Sequence, residues 1–438
     1  MDETYERTLQ EIPKDKKDHA YRLFQCLVAA IRPLHVEELA ELFAIEIDQA
    51  AAPNVTEGWR PENPEEAILS ACSTLIAIID DDQGSKIVQF SHFSVKEFLT
   101  SDRLRISDVG SICHYHIPLD AAHNILARAC LTVLLQLDEG IDKGRLVTFP
   151  LAFYAAQYWF VHAKHEGVAR RVQDAMERLF DPGNPYLAAW VWIYDLDEDL
   201  DQKSIDMVVD RPSRPKATAL YYAVSCGLCE LAEYLISTHG EDVSAQCGFH
   251  ESPLHAASRK GHLDAVSLLL GHGADVNMRR ENGCTPLCAA YEGRHLDIMQ
   301  LLLERGSDMR CSIGGLLIHF ASRQGRADVI RLLLQHNADL NATDKDNCTP
   351  LHWASEGHAD VAQILLENGA DINVVSDHGT PLCVASDYGH LKVVQLLLER
   401  GADVNIRGPL GQNPFKAATV RGHTEIARLL LELGASEE

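Results

Sequence analysis

The residues with the most chemical promise in this chain are two short pairs, Cys226-Gly-Leu-Cys229 and Cys247-Gly-Phe-His250. Their CxxC and CxxH spacing is that of a tetrahedral zinc site, in which thiolates and an imidazole close around one ion. The chain also holds 21 histidines, a residue type suited to general-base and metal chemistry at neutral pH. Other signatures are missing. No G-x-S-x-G elbow and no H-E-x-x-H pair occurs in the sequence. No Gly-Lys dipeptide occurs either, so there is no G-x-x-x-x-G-K-[ST] loop to cradle phosphates with backbone N–H groups and a lysine. Isolated carboxylates are abundant, but on a chain of formal charge -25 they read most simply as solvated surface.

Whether the cysteines and histidines can converge depends on what carries them, and the carrier is a repeat. The phrase SPLHAAS at 252 returns as TPLCAAY at 285, TPLHWAS at 349, TPLCVAS at 380 and NPFKAAT at 413, with looser copies TALYYAV at 218 and LLIHFAS at 316. The starts lie 34, 33, 31, 33, 31 and 33 residues apart. A Gly-His-like turn, an apolar helix and a Gly-Ala-Asp stretch follow, as in GHLDAVSLLLGHGADVN and GHLKVVQLLLERGADVN. Thr or Ser before Pro predicts a helix N-cap with proline at the first helical position. Gly261, Gly325, Gly389 and Gly422 are placed to end that helix with positive φ. In the second helices, Leu268, Leu269, Leu332, Leu333, Leu396, Leu397, Leu429 and Leu430 are expected to face neighbouring repeats, because one helical pair cannot bury them alone. The 31-residue spacings predict shortened or distorted fingers: one residue is lost before Gly357, another near Asp377, and about two in 311–315. These phrases closely resemble ankyrin repeats, and the resemblance covers about half of the chain.

The repeat register opposes the zinc reading. Cys226 and Cys229 flank the inter-helix turn of the first repeat, whereas Cys247 and His250 lie beyond its second helix. A helix of about ten residues separates such ends by about 15 Å, against ligand distances of about 2.3 Å, so neither a metal nor a cofactor is expected. His255, His319 and His352 hold the His of the TPLH phrase, where the resemblance implies an imidazole that bridges loop backbone between repeats. His262, His295, His358, His390 and His423 hold the turn. The histidines thus read as structural and the chain as non-catalytic.

The same resemblance assigns a partner surface. Residues just before each inter-helix turn and at each finger tip point to the concave face. Before the turns these are Arg259, Lys260, Glu292, Arg323, Gln324, Glu356, Asp387, Tyr388 and Arg421, and on the fingers Arg279, Arg280, Lys345, Asp346 and His378. Mixed charge and a tyrosine suit a protein partner better than a nucleic-acid backbone. Phe320 and Trp353 read as half-buried packing between repeats four and five.

In the N-terminal half, HAYRLFQCLVAAI and HVEELAELFAI are amphipathic helices broken by Arg32-Pro33, and a third helix spans about Pro64 to Cys72. LIAIID, DDQGS and KIVQFSHF then form a hairpin signal, and a further helix begins at Ser94. Three helices followed by a hairpin is the winged-helix order. With DETYERTLQEI and RPLHVEELAELFAIEID, the segment resembles the winged-helix region behind the nucleotide-binding module of fungal NACHT and related STAND-type NTPases. AAHNILARACLTVLLQL, PLAFYAAQYWFVHAK, ARRVQDAMERLF and PYLAAWVWIY resemble the helical bundle that follows it there. Residues 1–105 carry 20 acidic against 11 basic residues, with Glu37, Glu38 and Glu41 on the second helix, Glu65 and Glu66 on the third and Asp80, Asp81 and Asp82 at the wing, which disfavours DNA phosphate contacts.

The expected architecture is mainly α: a winged-helix-like domain over 1–105, a small helical bundle over 106–200, a linker over 201–216, and an α-solenoid of seven ankyrin repeats over 217–438. The N-terminus carries no signal-peptide pattern, no apolar run is long enough to span a bilayer, and twelve dispersed cysteines suit a reducing compartment, so the cytoplasm or nucleus is expected. The expected function is a non-enzymatic interaction scaffold or sensor for a protein partner, with no nucleic acid or membrane. The alternative is the sensor half of a STAND receptor whose nucleotide-binding module is not in this chain.

Overall fold

The computed structural model describes residues 2–45, 63–81, 84–106, 112–138, 140–194, 217–246, 251–310, 316–409 and 411–436, together with Leu196 and Pro215. Cys247 and His250 of the zinc reading, Asp82 of the wing, the shortened finger at 311–315 and most of the linker lie outside the described residues. Among those residues no helix is long and apolar enough to cross a membrane. Two compact units meet in sequence at Glu241 and Asp242.

The first unit begins with α1 (Asp2–Glu11), α2 (Lys17–Ala29), β1 (Leu34–His35), α3 (Val36–Ala44), α4 (Pro64–Cys72), β2 (Ile76–Asp80), β3 (Lys86–Phe90), α5 (Phe93–Leu99) and α6 (Asp102–Arg105). Pro64 opens α4 as foreseen, and Asn63 caps it by accepting the Glu66 N–H. The hairpin pairs Ile78 with Val88, and Leu34 pairs with the other edge of β3, giving an antiparallel sheet ordered β1-β3-β2. Behind it stand α7 (Leu119–Leu134), α8 (Lys143–Leu146), α9 (Ala152–Ala163), α10 (Gln173–Phe180) and α11 (Tyr186–Ile193). Trp159, Phe180 and Trp190 are fully buried together, and Trp190 Nε1 donates to the Ala156 carbonyl at 2.9 Å. The first helical pair of the repeat register, α12 (Ala219–Ser225) and α13 (Cys229–His239), belongs to this unit because Tyr222 packs edge-on against Trp190.

Two of the glutamates counted as surface acid are interior. Glu38 is buried because Arg32 donates to both of its oxygens, at 2.8 and 2.5 Å, while the His35 backbone N–H donates to it at 2.8 Å. Glu41 is buried because its carboxylate accepts the Leu151 N–H at 2.6 Å. Beside them Tyr154 accepts the Ile31 N–H at 3.3 Å, which leaves its O–H to donate to His162 Nε2 at 2.9 Å. His162 Nδ1–H then donates to His123 Nδ1 at 2.8 Å, and His123 stacks on His165.

The second unit holds six helical pairs among the described residues: α14 (Pro253–Lys260) with α15 (Leu263–Gly271), α16 (Pro286–Gly293) with α17 (Leu296–Glu304), α18 (Leu317–Arg323) with α19 (Ala327–Gln335), α20 (Pro350–Ala354) with α21 (Ala359–Glu367), α22 (Pro381–Tyr388) with α23 (Leu391–Glu399), and α24 (Pro414–Arg421) with α25 (Thr424–Glu432). Ser252, Thr285, Thr349, Thr380 and Asn413 cap the first helices. The residue lost before Gly357 shortens α20 to five positions, and the finger beside Asp377 closes between Ser376 and Gly379. In the second helices Leu269, Leu333, Leu397 and Leu430 are fully buried, as expected. Leu332 is buried beside Leu333, whereas Leu268, Leu396 and Leu429 lie at the edge of the buried stripe and are only half-buried.

Two sets of imidazoles fasten successive pairs, except between α16 and α18, where Arg326 takes the turn position and donates to the Tyr291 carbonyl at 3.4 Å. His255, His319 and His352 donate from Nε2 to carbonyls of the following loop, at Cys284 (3.1 Å), Ala342 (2.9 Å) and Gly379 (3.0 Å). Since a carbonyl only accepts, Nδ1 of His255 and His352 must accept in turn, and the capping hydroxyls of Ser252 and Thr349 lie 2.8 Å away. Burial lowers both imidazoles to about 4, so they stay neutral. The turn histidines reach backwards: His295 to the Arg259 carbonyl (3.0 Å), His358 to Arg323 (2.8 Å) and His423 to Asp387 (3.1 Å). Each of these rings lies over the left-handed glycine of the preceding turn, Gly261, Gly325 and Gly389. A third fastening joins the fingers, where side-chain carbonyls of Asn277, Asn341, Asn373 and Asn405 accept the N–H groups of Asp308, Asp371, Asp403 and Ser436 at 2.7 to 3.0 Å.

Gly389 and Gly422 share a φ of 78°, but a Cβ on Gly389 would overlap the His423 ring while one on Gly422 meets nothing. Gly422→Ala should therefore cost about 1 kcal/mol of left-handed strain, and Gly389→Ala about 1–3 kcal/mol more for the overlap, as read by denaturant unfolding. In the first unit burial lowers His162 to about 3 and His123 to about 4 from an ordinary 6.5. The unfolded chain then binds protons that the folded one does not, so this stability is complete above the ordinary value and is lost as pH falls towards the lowered ones. The melting temperature of that unit should fall on acidification below about pH 6.5, and His162→Phe should flatten the dependence.

Candidate functional site

The first helices α18, α20, α22 and α24 pack side by side. Their final residues therefore fall in a row, held by the backward imidazoles at the very carbonyls of Arg323 and Asp387. Along this row lies a cavity of about 670 Å³ that brings together Arg323, Glu356, His378, Asp387, Tyr388 and Arg421, six of the residues assigned to the partner surface by register. The Arg323 guanidinium lies 4.9 Å over the Trp353 ring and 3.7 Å from Glu356. Arg421 donates to both oxygens of Asp387, at 2.9 and 3.1 Å, which raises the guanidinium above its ordinary value. The walls are thus built of ion pairs that cross from one repeat to the next.

Burial keeps the thiols and the imidazole on the floor in their uncharged forms. Burial pushes the Cys348 thiol up to about 11 and raises that of Cys383, and both line the cavity as thiols. His352 is lowered and committed at both ring nitrogens. What the groove offers is a shaped, half-open surface of mixed polarity. Among the contributors that escaped the register argument are Trp353, which was read as packing, and Val384, Lys416 and Val420. Val420 carried a usable signal, because sister repeats hold Arg259, Glu292, Arg323 or Asp387 at that position. So did Lys416, which stands where His255 and His352 stand in theirs.

The remaining residues assigned by register lie outside this groove. Lys260, Glu292 and Gln324 are exposed, with Gln324 accepting the Tyr291 hydroxyl at 3.0 Å. Arg279 pairs with Asp308 at 3.0 Å on the finger surface, Lys345 is exposed, and Asp346 uses its backbone to hold Asp344 and Asp377. Arg259 and Arg280 clamp Glu251, which is only 1% exposed, with Arg280 Nη1 at 2.7 Å. Both arginines are thus engaged by a buried carboxylate that would be costly to leave unpaired.

Among described residues no group of histidine, cysteine and carboxylate side chains could hold a metal ion. Family models for ankyrin repeats match residues 220–313 and 311–376 (three copies) and 365–418 (many copies). A model of the GPI inositol-deacylase winged helix domain matches residues 5–110. A curated relative, the azaphilone pigments biosynthesis cluster protein L of Monascus ruber, is 30% identical over 283 residues, 62% of this chain. The chain spans 58% of that relative's length. Among solved structures, the human ASB11 ankyrin repeat domain is 28% identical, covering 50% of this chain and 99% of its own with a TM-score of 0.43. The ankyrin repeat domain of Bcl-3 is 27% identical, covering 49% and 100% with a TM-score of 0.45.

The two kinds of arginine separate on substitution. Arg280→Ala leaves a buried carboxylate short of a partner and should cost about 3 kcal/mol, whereas Arg421→Ala removes an exposed pair and should cost less than about 1 kcal/mol. Chemical denaturation of the two variants checks the ordering.

Proposed function

We propose that this chain, an ankyrin-repeat protein with an N-terminal winged helix domain of the GPI inositol-deacylase type, is a non-enzymatic interaction module that holds a protein partner in the groove of repeats four to seven. The observation that carries the reading is the convergence of Arg323, Trp353, Glu356, Asp387, Tyr388 and Arg421 from four successive repeats onto one cavity. Tyrosine, tryptophan and arginine are the side chains that dominate protein interfaces, since each combines large apolar area with a directional polar group. The absence of the phosphate-binding lysine motif from the sequence and the protonated thiols of the floor favour binding over chemistry. In the winged helix, Glu65 and Glu66 open α4 and Asp80 ends β2, an acidic edge that suits protein contact rather than a nucleic-acid backbone.

A second reading rests on the winged-helix match: a sensor segment working with a nucleotide-binding module in one polypeptide. Transcripts that carry a G-x-x-x-x-G-K-[ST] loop in frame would support it, and transcripts without one would dismiss it.

The primary reading is tested with the full chain as bait in a lysate of its native cell. Proteins captured by the wild type should be lost to a Tyr388→Ala, Arg323→Glu double variant whose melting curve is unchanged. Equal capture by the two proteins would remove the groove from consideration.

A further inference from the structure

The groove has a property that its mixed wall charges conceal. Each lining guanidinium already faces a carboxylate of the adjoining repeat, Arg323 with Glu356 and Arg421 with Asp387. Neither lining carboxylate is left without a cation, so the walls cancel internally. Lys416 differs. It projects from the first turn of α24, its side chain is exposed, and no carboxylate among the described residues pairs with its ammonium. Lys416 is therefore the lining cation that no described carboxylate already engages.

Beside that charge lies apolar surface that the fold itself does not need. Val420 is 76% exposed, and Tyr388 is 56% exposed on the neighbouring repeat. Trp353 continues the strip, with its indole N–H already donated to Asp344 at 2.8 Å. A solvent-facing valine at a position held by charged side chains in sister repeats gains nothing for folding, and gains burial only when something covers it.

We propose that the groove accepts an extended acidic peptide segment of a protein partner, seating an apolar side chain against Val420, Tyr388 and Trp353 and a carboxylate at Lys416. This rests on the reading of the groove as the partner site and adds the chemistry of what enters it. A basic segment would meet Lys416 with like charge. An uncharged segment would leave the ammonium partly desolvated without a partner.

Random linear peptides displayed on phage and panned on the full chain provide the probe, followed by fluorescence anisotropy of the enriched peptides. Enriched sequences should join an aromatic or aliphatic residue to a nearby Asp or Glu and avoid Lys and Arg. Lys416→Glu should weaken their binding at least about tenfold, the loss of one charge-assisted contact, while Lys416→Arg retains it. Enriched peptides without an acidic residue, or affinity unchanged by Lys416→Glu, would overturn the acidic assignment. If Tyr388→Ala and Val420→Asp still weaken such peptides, the groove stands as the partner site with a different guest. Peptides indifferent to all of these substitutions, or no enrichment at all, would overturn both readings.

Discussion

The array rests on one contact made repeatedly: the imidazole of a turn histidine lying over the left-handed glycine of the preceding repeat and donating to the carbonyl before it. Glycine is required twice at that point, for a φ of 69 to 83° at Gly261, Gly325 and Gly389 and for the space the ring takes. The contact fixes the separation of adjacent first helices, and with it the burial of Leu269, Leu333 and Leu397 between them. It also acts on the surface. The carbonyls held by His358 and His423 belong to Arg323 and Asp387, whose side chains are groove walls. Packing and the shape of the groove therefore depend on the same residues.

The winged-helix unit solves a different problem. Its buried polar groups form a chain from Arg32 and Glu38 to Tyr154, His162 and His123, linking elements far apart in sequence. Every atom in that chain needs a particular neighbour, which restricts α3 and α9 to one arrangement more strictly than apolar contact would. The repeats achieve the same specificity with short, local and reiterated bonds.

That contrast explains what could be read from the sequence. A unit written seven times announces its caps, turns and missing positions, so the loss before Gly357 was legible, although the spacing pointed to a shortened finger and the structure takes the loss in helix α20. The winged-helix elements from α2 to the hairpin were legible from periodicity. Helix α1 was not, because it buries little beyond Leu9, and β1 is two residues long. Partnerships across the fold were beyond the sequence altogether. Glu38 and Glu41 look like any exposed acids until Arg32 and the Leu151 N–H come to meet them. Arg259 and Arg280 look like free surface cations until Glu251 appears between them. Within the groove, the informative positions were the exceptions to the register, Val420 and Lys416, rather than the residues that obeyed it.

The position of the groove along the array follows from where the fastenings are continuous. Asn277 reaches forward to Asp308, but Arg310 then stands where the other fingers carry asparagine, so that finger has no side-chain carbonyl at this position. Leu316 likewise replaces the capping hydroxyl of α18. From Asn341 onwards the finger bonds run unbroken to Ser436, and turn histidines lie over Gly325, Gly357 and Gly389 in succession. The groove occupies this uninterrupted stretch. A surface assembled from four repeats keeps its shape only if each junction is fixed, since small errors in successive stacking angles accumulate along a solenoid. Continuous hydrogen bonding below the groove and matched ion pairs along its walls serve that one requirement, and they leave Val420, Tyr388 and Lys416 as the groups not already engaged in holding the fold.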